Sequence, residues 1–245
     1  MTTAPSQSGP GKTLGLLGGM GPEATVELMR RVVAATPARD DADHIRMLVD
    51  NNPQVPSRIA HVIEGTGEDP TPVLVSMAEG LKQAGADFLA MPCNTAHWYL
   101  PAVCKAVDLP FLDMIDLSVR YLQNSRPPLQ RVALLASPAV RKVGLFDQRL
   151  QAAGFTPLHA EGKEAEELLK VIRAVKAKGY GETERRGYQA ATDGLRQRGA
   201  QAYLIACTEL SVIDLPDTDG LPIADTLDLL VAEILKTAGV DSLNV

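Results

Sequence analysis

Short apolar runs alternate with longer amphipathic stretches along this chain. Residues 13–17, 45–49 and 131–136 are apolar runs of the length typical of buried strands. Residues 71–84 and 163–178 carry apolar positions at helical spacing, and the second stretch has Glu164, Glu166 and Glu167 early and Lys176 and Lys178 late. Buried strands that alternate with helices predict an α/β fold of parallel sheets flanked by helices.

One motif of this pattern occurs twice. Residues 85–93 read GADFLAMPC and residues 199–207 read GAQAYLIAC, so a Gly-Ala pair, an apolar strand and a terminal cysteine recur. The repeat predicts two similar domains related by a pseudo-two-fold axis, with the site in the cleft between them.

The predicted division of the chain follows from this repeat. Residues 1–11 are rich in Ser, Gly and Pro and are expected to be a disordered tail. Residues 12–110 together with 223–245 form the first predicted domain, and residues 111–222 form the second.

Composition excludes several classes of partner. The 245 residues include 24 Lys and Arg and 30 Asp and Glu, for a formal net charge of −6. Such a balance predicts no nucleic-acid or membrane-surface binding, and no stretch has the apolar length of a membrane span or the pattern of a signal peptide. We therefore expect a cytoplasmic protein.

The sequence contains three cysteines, none in a CxxC pair or in a cluster with metal-ligand spacing. They are expected to be free thiols, and packing is the default role of a buried thiol. Cys104 lies within the helical stretch 96–107 without polar neighbours, and we assign it that packing role.

Cys93 and Cys207 each stand where a predicted strand gives way to a helix, and polar residues follow both, as CNT and CTE. Donors at a helix start can bind a carboxylate and can lower the pKa of a thiol. Two such thiols on opposite walls of a cleft would allow one to remove a proton and the other to return it. Two packed thiols or a redox pair are the alternatives.

These motifs resemble those of the cofactor-independent aspartate/glutamate racemase superfamily, and within it the aspartate racemase branch, over residues 13 to about 238. The matching segments are LGGMGPEAT at 17–25, NNPQVPSR at 51–58, GADFLAMPCNTAH at 85–97 and ACTEL at 206–210. Glutamate racemases differ, with an Asp-Ser-Gly turn after the first strand and a His where this chain has Glu209.

The resemblance implies two α/β domains, usually in a homodimer, and racemisation of a small amino-acid substrate without pyridoxal phosphate or metal. Cys93 and Cys207 would be the acid/base thiols, and Arg58 and Lys176 would hold the side-chain carboxylate of the substrate. The remaining substrate-binding residues in this interpretation are Met20, Gln54, Asn94, Thr95, Ser137, Thr208 and Glu209.

One segment departs from the aspartate racemase pattern. Residues 137–146 read SPAVRKVGLF, where that branch has a Thr-x-Gly-Thr turn followed by Ser-Gly and Tyr. Because this turn contacts the bound amino acid in the family, the departure predicts a different or less polar substrate, or binding through Ser137 and backbone groups. The predicted function is racemisation of aspartate or of a related, broader range of amino acids.

Other interpretations stay open. An isomerase or decarboxylase of the same fold could act on a small dicarboxylate, and a non-catalytic module could close on a small acid. His97 either packs in the core or tunes Cys93, one helical turn away. Asp113 and Asp225 each follow a proline by three residues, and we expect them to hydrogen-bond between the domains.

Overall fold

The structure is a computed structural model that describes residues 11–177, 179–213 and 216–240. The predicted disordered tail, apart from its last residue, lies outside the described residues. The first half contains β1 (Leu14–Gly18), α1 (Pro22–Ala35), β2 (Met47–Asn51), α2 (Thr71–Gln83), β3 (Phe88–Ala90), α3 (Leu100–Ala106) and α4 (Met114–Gln123). The second half contains β4 (Arg131–Ala136), α5 (Pro138–Val143), α6 (Leu145–Ala152), β5 (Thr156–His159), α7 (Gly162–Lys176), α8 (Glu182–Gln197), β6 (Ala202–Ala206), β7 (Ile223–Asp225) and α9 (Thr226–Ala238).

The strands form two parallel sheets, one of order β2-β1-β3 and one of order β5-β4-β6-β7. A bridge between Leu89 and Phe111 adds a short fourth position to the first sheet, so the two strand orders correspond. The predicted α/β fold with parallel sheets flanked by helices is confirmed. The pseudo-two-fold axis stays a prediction.

Helices cover both faces of each sheet. On the first sheet, α1 and α9 pack on one face, and α2 and α3 pack on the other. On the second sheet, α7 and α8 pack on one face, and α4 and α6 pack on the other. Because both faces are covered, strands β1 and β6 are buried at every position.

The chain crosses from one sheet to the other a few residues later than the predicted domain boundaries at 110/111 and 222/223. The segment FLDMI at 111–115 forms a single bridge and IADTL at 223–227 begins with a three-residue strand, and a helix follows each at once. Asp113 and Asp225 start these helices, because their carboxylates cap α4 and α9 by accepting backbone N–H groups. Strand β7 pairs with β6 in the second sheet, whereas the predicted boundary at residue 223 assigns it to the first domain. The division into domains stays a prediction.

Two corresponding arginine clasps join the halves. Arg149 Nη1 on α6 lies 2.6 Å from Asp113 and 2.7 Å from Asp116. Arg31 Nη1 on α1 lies 2.8 Å from Asp225 and 2.7 Å from Asp228. Each arginine therefore binds a helix-capping aspartate and the aspartate three residues later. Because each of these contacts joins residues of the same predicted domain, the inter-domain role expected for the two capping residues stays a prediction.

A glycine turn closes the first strand. Gly19 has a φ of 91°, and a β-carbon at this position would collide with the backbone of Asn52. Its N–H donates to Thr25 Oγ1 at 2.9 Å, which fixes the turn against the first helix. The turn carries Met20 to the end of the sheet where the other strands also end.

Within the described residues, no helix is long and apolar enough to cross a lipid bilayer. The cytoplasmic location and the homodimer stay predictions.

Candidate active site

A small cavity of about 50 Å³ lies at the carboxyl ends of strands from both sheets. Loops at this end of parallel strands are where α/β proteins bind ligands. The cavity is lined by Met20, Ser57, Arg58, Ile59, Cys93, Asn94, Thr95, Ser137, Ile172, Lys176, Ala206, Cys207, Thr208 and Glu209. Both cysteines at the ends of repeated strands therefore reach one cavity.

The structure brings together every predicted site residue except one. Gln54 lies exposed on the loop after β2 and does not line the cavity. The loop turns Arg58 inward and leaves Gln54 on the outside, so a role for Gln54 in substrate binding stays a prediction.

Four lining residues were missed by the sequence interpretation. Ser57 and Ile59 flank Arg58, and Ala206 precedes Cys207. Ile172 lies one helical turn before Lys176 on α7, so helical spacing from Lys176 was a signal that could have found it.

Cys93 is buried, and its immediate contacts are with backbone and imidazole groups. His97 Nδ1 lies 2.9 Å from the Cys93 carbonyl, and the Met114 N–H donates to His97 Nε2 at 3.2 Å. A backbone N–H can only donate, so Nε2 is unprotonated and Nδ1 carries the hydrogen. Complete burial lowers the pKa of His97 despite the nearby Asp113 carboxylate. This neutral His97 holds the turn around Cys93, and both of its nitrogens are used for that purpose.

Cys207 is buried beside a carboxylate. Its Sγ donates to Glu209 Oε2 at a sulfur–oxygen distance of 3.0 Å. Burial raises the pKa of the Cys207 thiol well above its usual value, the charge and hydrogen bond of Glu209 raise it further, and Lys176 opposes this effect. The protonated thiol is therefore the form of Cys207 that this environment favours.

Glu209 also forms an ion pair with Lys176, whose Nζ lies 2.9 Å from Glu209 Oε1. Burial lowers the pKa of Lys176, but the Glu209 carboxylate outweighs this effect, and the pKa is raised overall. Lys176 is thus a cation with a counter-ion already beside it. This arrangement places one positive and one negative side chain next to the Cys207 thiol.

Arg58 is held by the loop that carries it. Its Nη1 donates to the carbonyls of Val55 at 3.1 Å and Pro56 at 2.9 Å, and its Nη2 donates to the Met20 carbonyl at 3.3 Å. These acceptors fix the guanidinium at the edge of the cavity, so a second positive charge faces it.

The residues that follow the two cysteines bridge the halves. Asn94 Nδ2 donates to Thr226 Oγ1 at 3.1 Å, and Thr208 Oγ1 donates to the Pro92 carbonyl at 3.1 Å. Asn94 Oδ1 is buried at the cavity and has no hydrogen-bond partner within the described residues. A buried unpaired carbonyl oxygen is costly, so this atom is a candidate acceptor for a ligand N–H group.

Ser137 caps α5, where its hydroxyl accepts from the Val140 N–H at 3.4 Å. The segment predicted as a substrate-facing turn is thus the start of a helix, with Pro138 at the first helical position. The hydroxyl lines the cavity and keeps its own proton for donation to a ligand.

Cys104 is exposed, so the packing role predicted for it is wrong. The helical stretch 96–107 divides into a 3-10 turn at Thr95–Tyr99 and α3, which buries Leu100 and Val103. This division turns Cys104 toward solvent. In the part of the chain that the structure describes, no group of three or more His, Cys, Asp and Glu residues could hold a metal ion.

Two parallel-sheet units with two buried cysteines at a shared cavity have the form of an α/β enzyme that acts on a small ligand. The chain belongs to the Asp/Glu/Hydantoin racemase family, whose profile matches residues 17–234. The predicted family and the predicted enzyme class, amino-acid racemase, are thereby confirmed.

Individual relatives agree with this assignment. The chain is 22% identical over 228 residues to the broad specificity amino-acid racemase RacX of Bacillus subtilis, covering 91% of this chain and 97% of the relative. It is 30% identical to the aspartate racemase of Picrophilus torridus, with a TM-score of 0.83 and coverage of 95% and 96% of the two chains. Glutamate racemase RacE1 of Bacillus anthracis, at 17% identity, TM-score 0.64 and coverage of 96% and 86%, shares the fold.

Proposed function

We propose that this enzyme racemises a free amino acid by a two-base proton transfer between Cys93 and Cys207, without pyridoxal phosphate or a metal. The observation that carries the proposal is that both thiols line one cavity, each at the end of a corresponding strand. The substrate Cα would lie between the two sulfur atoms. Aspartate and amino acids with other side chains are the proposed substrates.

The cavity offers matching groups for an amino acid. Arg58 and Lys176 supply positive charge for a carboxylate, and Asn94 Oδ1 supplies an acceptor for the substrate ammonium. A short 3-10 turn begins at Thr95, two residues after Cys93, and the first N–H groups of such a turn have no partner within it. These N–H groups would stabilise the negative charge that develops on the α-carboxylate when the proton leaves.

The proposed proton transfer conserves both protons and electrons. The Cys93 thiolate removes the α-proton, and the electron pair of the broken C–H bond delocalises into the carboxylate. The Cys207 thiol then donates its proton to the opposite face of Cα. The enzyme finishes with Cys93 protonated and Cys207 as the thiolate, which is the form that accepts the other enantiomer.

The environment of Cys207 supports this starting form. Because burial and Glu209 raise the pKa of Cys207, the resting enzyme would keep its proton there. Glu209 would act as the residue that positions the Cys207 S–H bond, and Lys176 would balance the carboxylate charge.

The test follows the α-hydrogen. Each enantiomer of aspartate and of alanine is incubated with the enzyme in D₂O without added cofactor. The products are separated by chiral chromatography, and their deuterium content is measured by mass spectrometry. We expect α-deuterated product of opposite hand. Cys93→Ala and Cys207→Ala should each lose racemisation by at least about 10²-fold, and Cys104→Ala should keep it. Full racemisation by either active-site variant would disprove the two-base mechanism.

A further inference from the structure

A second, larger pocket adjoins the active-site cavity. It has a volume of about 360 Å³ and lies between the start of α1, the end of α7 and the segment after Cys207. We call it the outer pocket, and its lining residues are Gly21, Pro22, Glu23, Ala24, Val175, Lys176, Glu209 and Val212.

The ion pair of Lys176 and Glu209 forms the boundary between the two spaces. Both residues line the small cavity and the outer pocket. Glu209 Oε2 contacts the Cys207 sulfur at 3.0 Å, so the outer pocket begins one side chain away from a proposed reacting group. The Lys176 side chain is 38% exposed, which leaves it freedom to move aside for a substrate.

The inner walls of the outer pocket favour an uncharged ligand group, and the Glu23 carboxylate lies exposed at its rim. Pro22, Ala24, Val175 and Val212 present apolar surface. Among the described lining residues Lys176 is the single cation, and it already has Glu209 as its counter-ion. A substrate side chain that reaches this space therefore needs no carboxylate of its own to neutralise Lys176. Each methylene buried against these walls would strengthen binding about fourfold.

The geometry points to the outer pocket as the subsite for an extended, uncharged substrate side chain, such as that of methionine or norleucine. The inference rests on the proposed racemase function and specifies its substrate class. The amino-acid backbone would occupy the small cavity between the thiols, and the side chain would pass the Lys176–Glu209 pair into the outer pocket. This assignment agrees with the departure of residues 137–146 from the aspartate racemase pattern.

The first test is a substrate panel for the unmodified enzyme, with chiral chromatography of alanine, aspartate, lysine, methionine and norleucine. We expect kcat/KM for norleucine and methionine to exceed that for alanine by at least about tenfold. Racemisation of alanine or aspartate without racemisation of methionine and norleucine would overturn the subsite. Racemisation of lysine without racemisation of norleucine would also overturn the subsite, because the outer pocket would then accept a cationic side chain. Racemisation of none of the five would contradict the proposed function itself.

The second test fills the outer pocket. Glu23 is exposed on the rim of this pocket, so Glu23→Trp would place a bulky ring in it without disturbing the core. The ratio of kcat/KM for norleucine to that for alanine should fall at least about tenfold. Val26→Trp is the matched control, because Val26 is 62% exposed on the same helix and does not line the pocket, and it should leave the ratio unchanged. An unchanged ratio in Glu23→Trp would overturn the inference.

Discussion

Cys93 and Cys207 end corresponding strands of the two sheets, but their neighbours differ. The turn at Cys93 is held by His97, a neutral imidazole that binds backbone atoms. At Cys207 the neighbour is Glu209, which contacts the sulfur itself and pairs with Lys176. Equivalent backbone positions therefore carry unequal electrostatic environments.

This difference shows that two cysteines at equivalent positions of a repeated fold can begin a reaction in different protonation states. A two-base racemase needs one thiolate and one thiol at the start of each turnover. A carboxylate that lies beside only one of the two thiols disfavours the thiolate form of that thiol, so that thiol keeps its proton. Two residues after the cysteine, the chain has Thr95 in the first half and Glu209 in the second. The electrostatic difference between the two cysteine sites is therefore visible at one position of the repeated motif.

Of the effects expected from the unequal neighbours of the two cysteines, the largest comes from removing Lys176, the cation on the Cys207 side. Lys176→Met should lower kcat/KM for aspartate at least about tenfold more than for alanine, because Glu209 without its counter-ion would repel the side-chain carboxylate of aspartate. Steady-state kinetics with both substrates measures the ratio. Arg173→Met, an exposed position on the same helix, is the control and should leave the ratio unchanged. An equal loss for both substrates would place Lys176 elsewhere in the reaction.

The two arginine clasps should differ in their contribution to stability, because the two arginine side chains differ in exposure. The Arg31 side chain is 15% exposed and the Arg149 side chain 32%. Arg31 also donates to the Ser211 carbonyl, four residues after Cys207. Arg31→Ala should lower the free energy of unfolding by about 1–3 kcal/mol and Arg149→Ala by at most about 1 kcal/mol, measured by urea denaturation. A larger loss in the Arg149 variant would reverse the comparison.

The smallest effect expected is on the thiol pKa. In a Cys93→Ala, Cys104→Ala background, Cys207 is the last of the three cysteines, and its thiolate absorbance can be titrated. Because burial and the Glu209 carboxylate raise the pKa of Cys207, the thiolate fraction should grow only as the pH rises above the ordinary range of a thiol.

Glu209→Gln removes the negative charge and should move the titration of Cys207 to lower pH. Glu166→Gln, an exposed position on α7, is the matched control and should leave it in place. A titration that does not move in Glu209→Gln would show that burial alone sets the pKa of Cys207.

The sequence predicted the parts of this molecule that depend on local patterns. The repeated Gly-Ala-strand-Cys motif predicted the two sheets and the position of both thiols, because strand ends are encoded by neighbouring residues. The aspartates before α4 and α9 were expected to link the domains, but their arginine partners were not predicted. Arg31 and Asp225 are 194 residues apart, and only the packing of α1 beside α9 brings them together.

The sequence does not encode side-chain orientations that are decided by three-dimensional packing. Gln54 belongs to a matching motif, yet its loop turns it to solvent. Cys104 belongs to an apolar stretch, yet a preceding 3-10 turn sets the face it presents. Glu209 was expected at the site, but its contact with the Cys207 sulfur depends on side-chain geometry that the spacing of residues does not encode.

The most direct measurement is enantiomer-specific hydrogen exchange in the single-thiol variants. Cys93→Ala and Cys207→Ala are incubated in D₂O with each pure enantiomer of alanine, and α-deuterium is measured in recovered substrate. We expect each variant to exchange the α-hydrogen of one enantiomer without inverting it, and the two variants to act on opposite enantiomers. Exchange of both enantiomers by one variant, or of the same enantiomer by both, would contradict it.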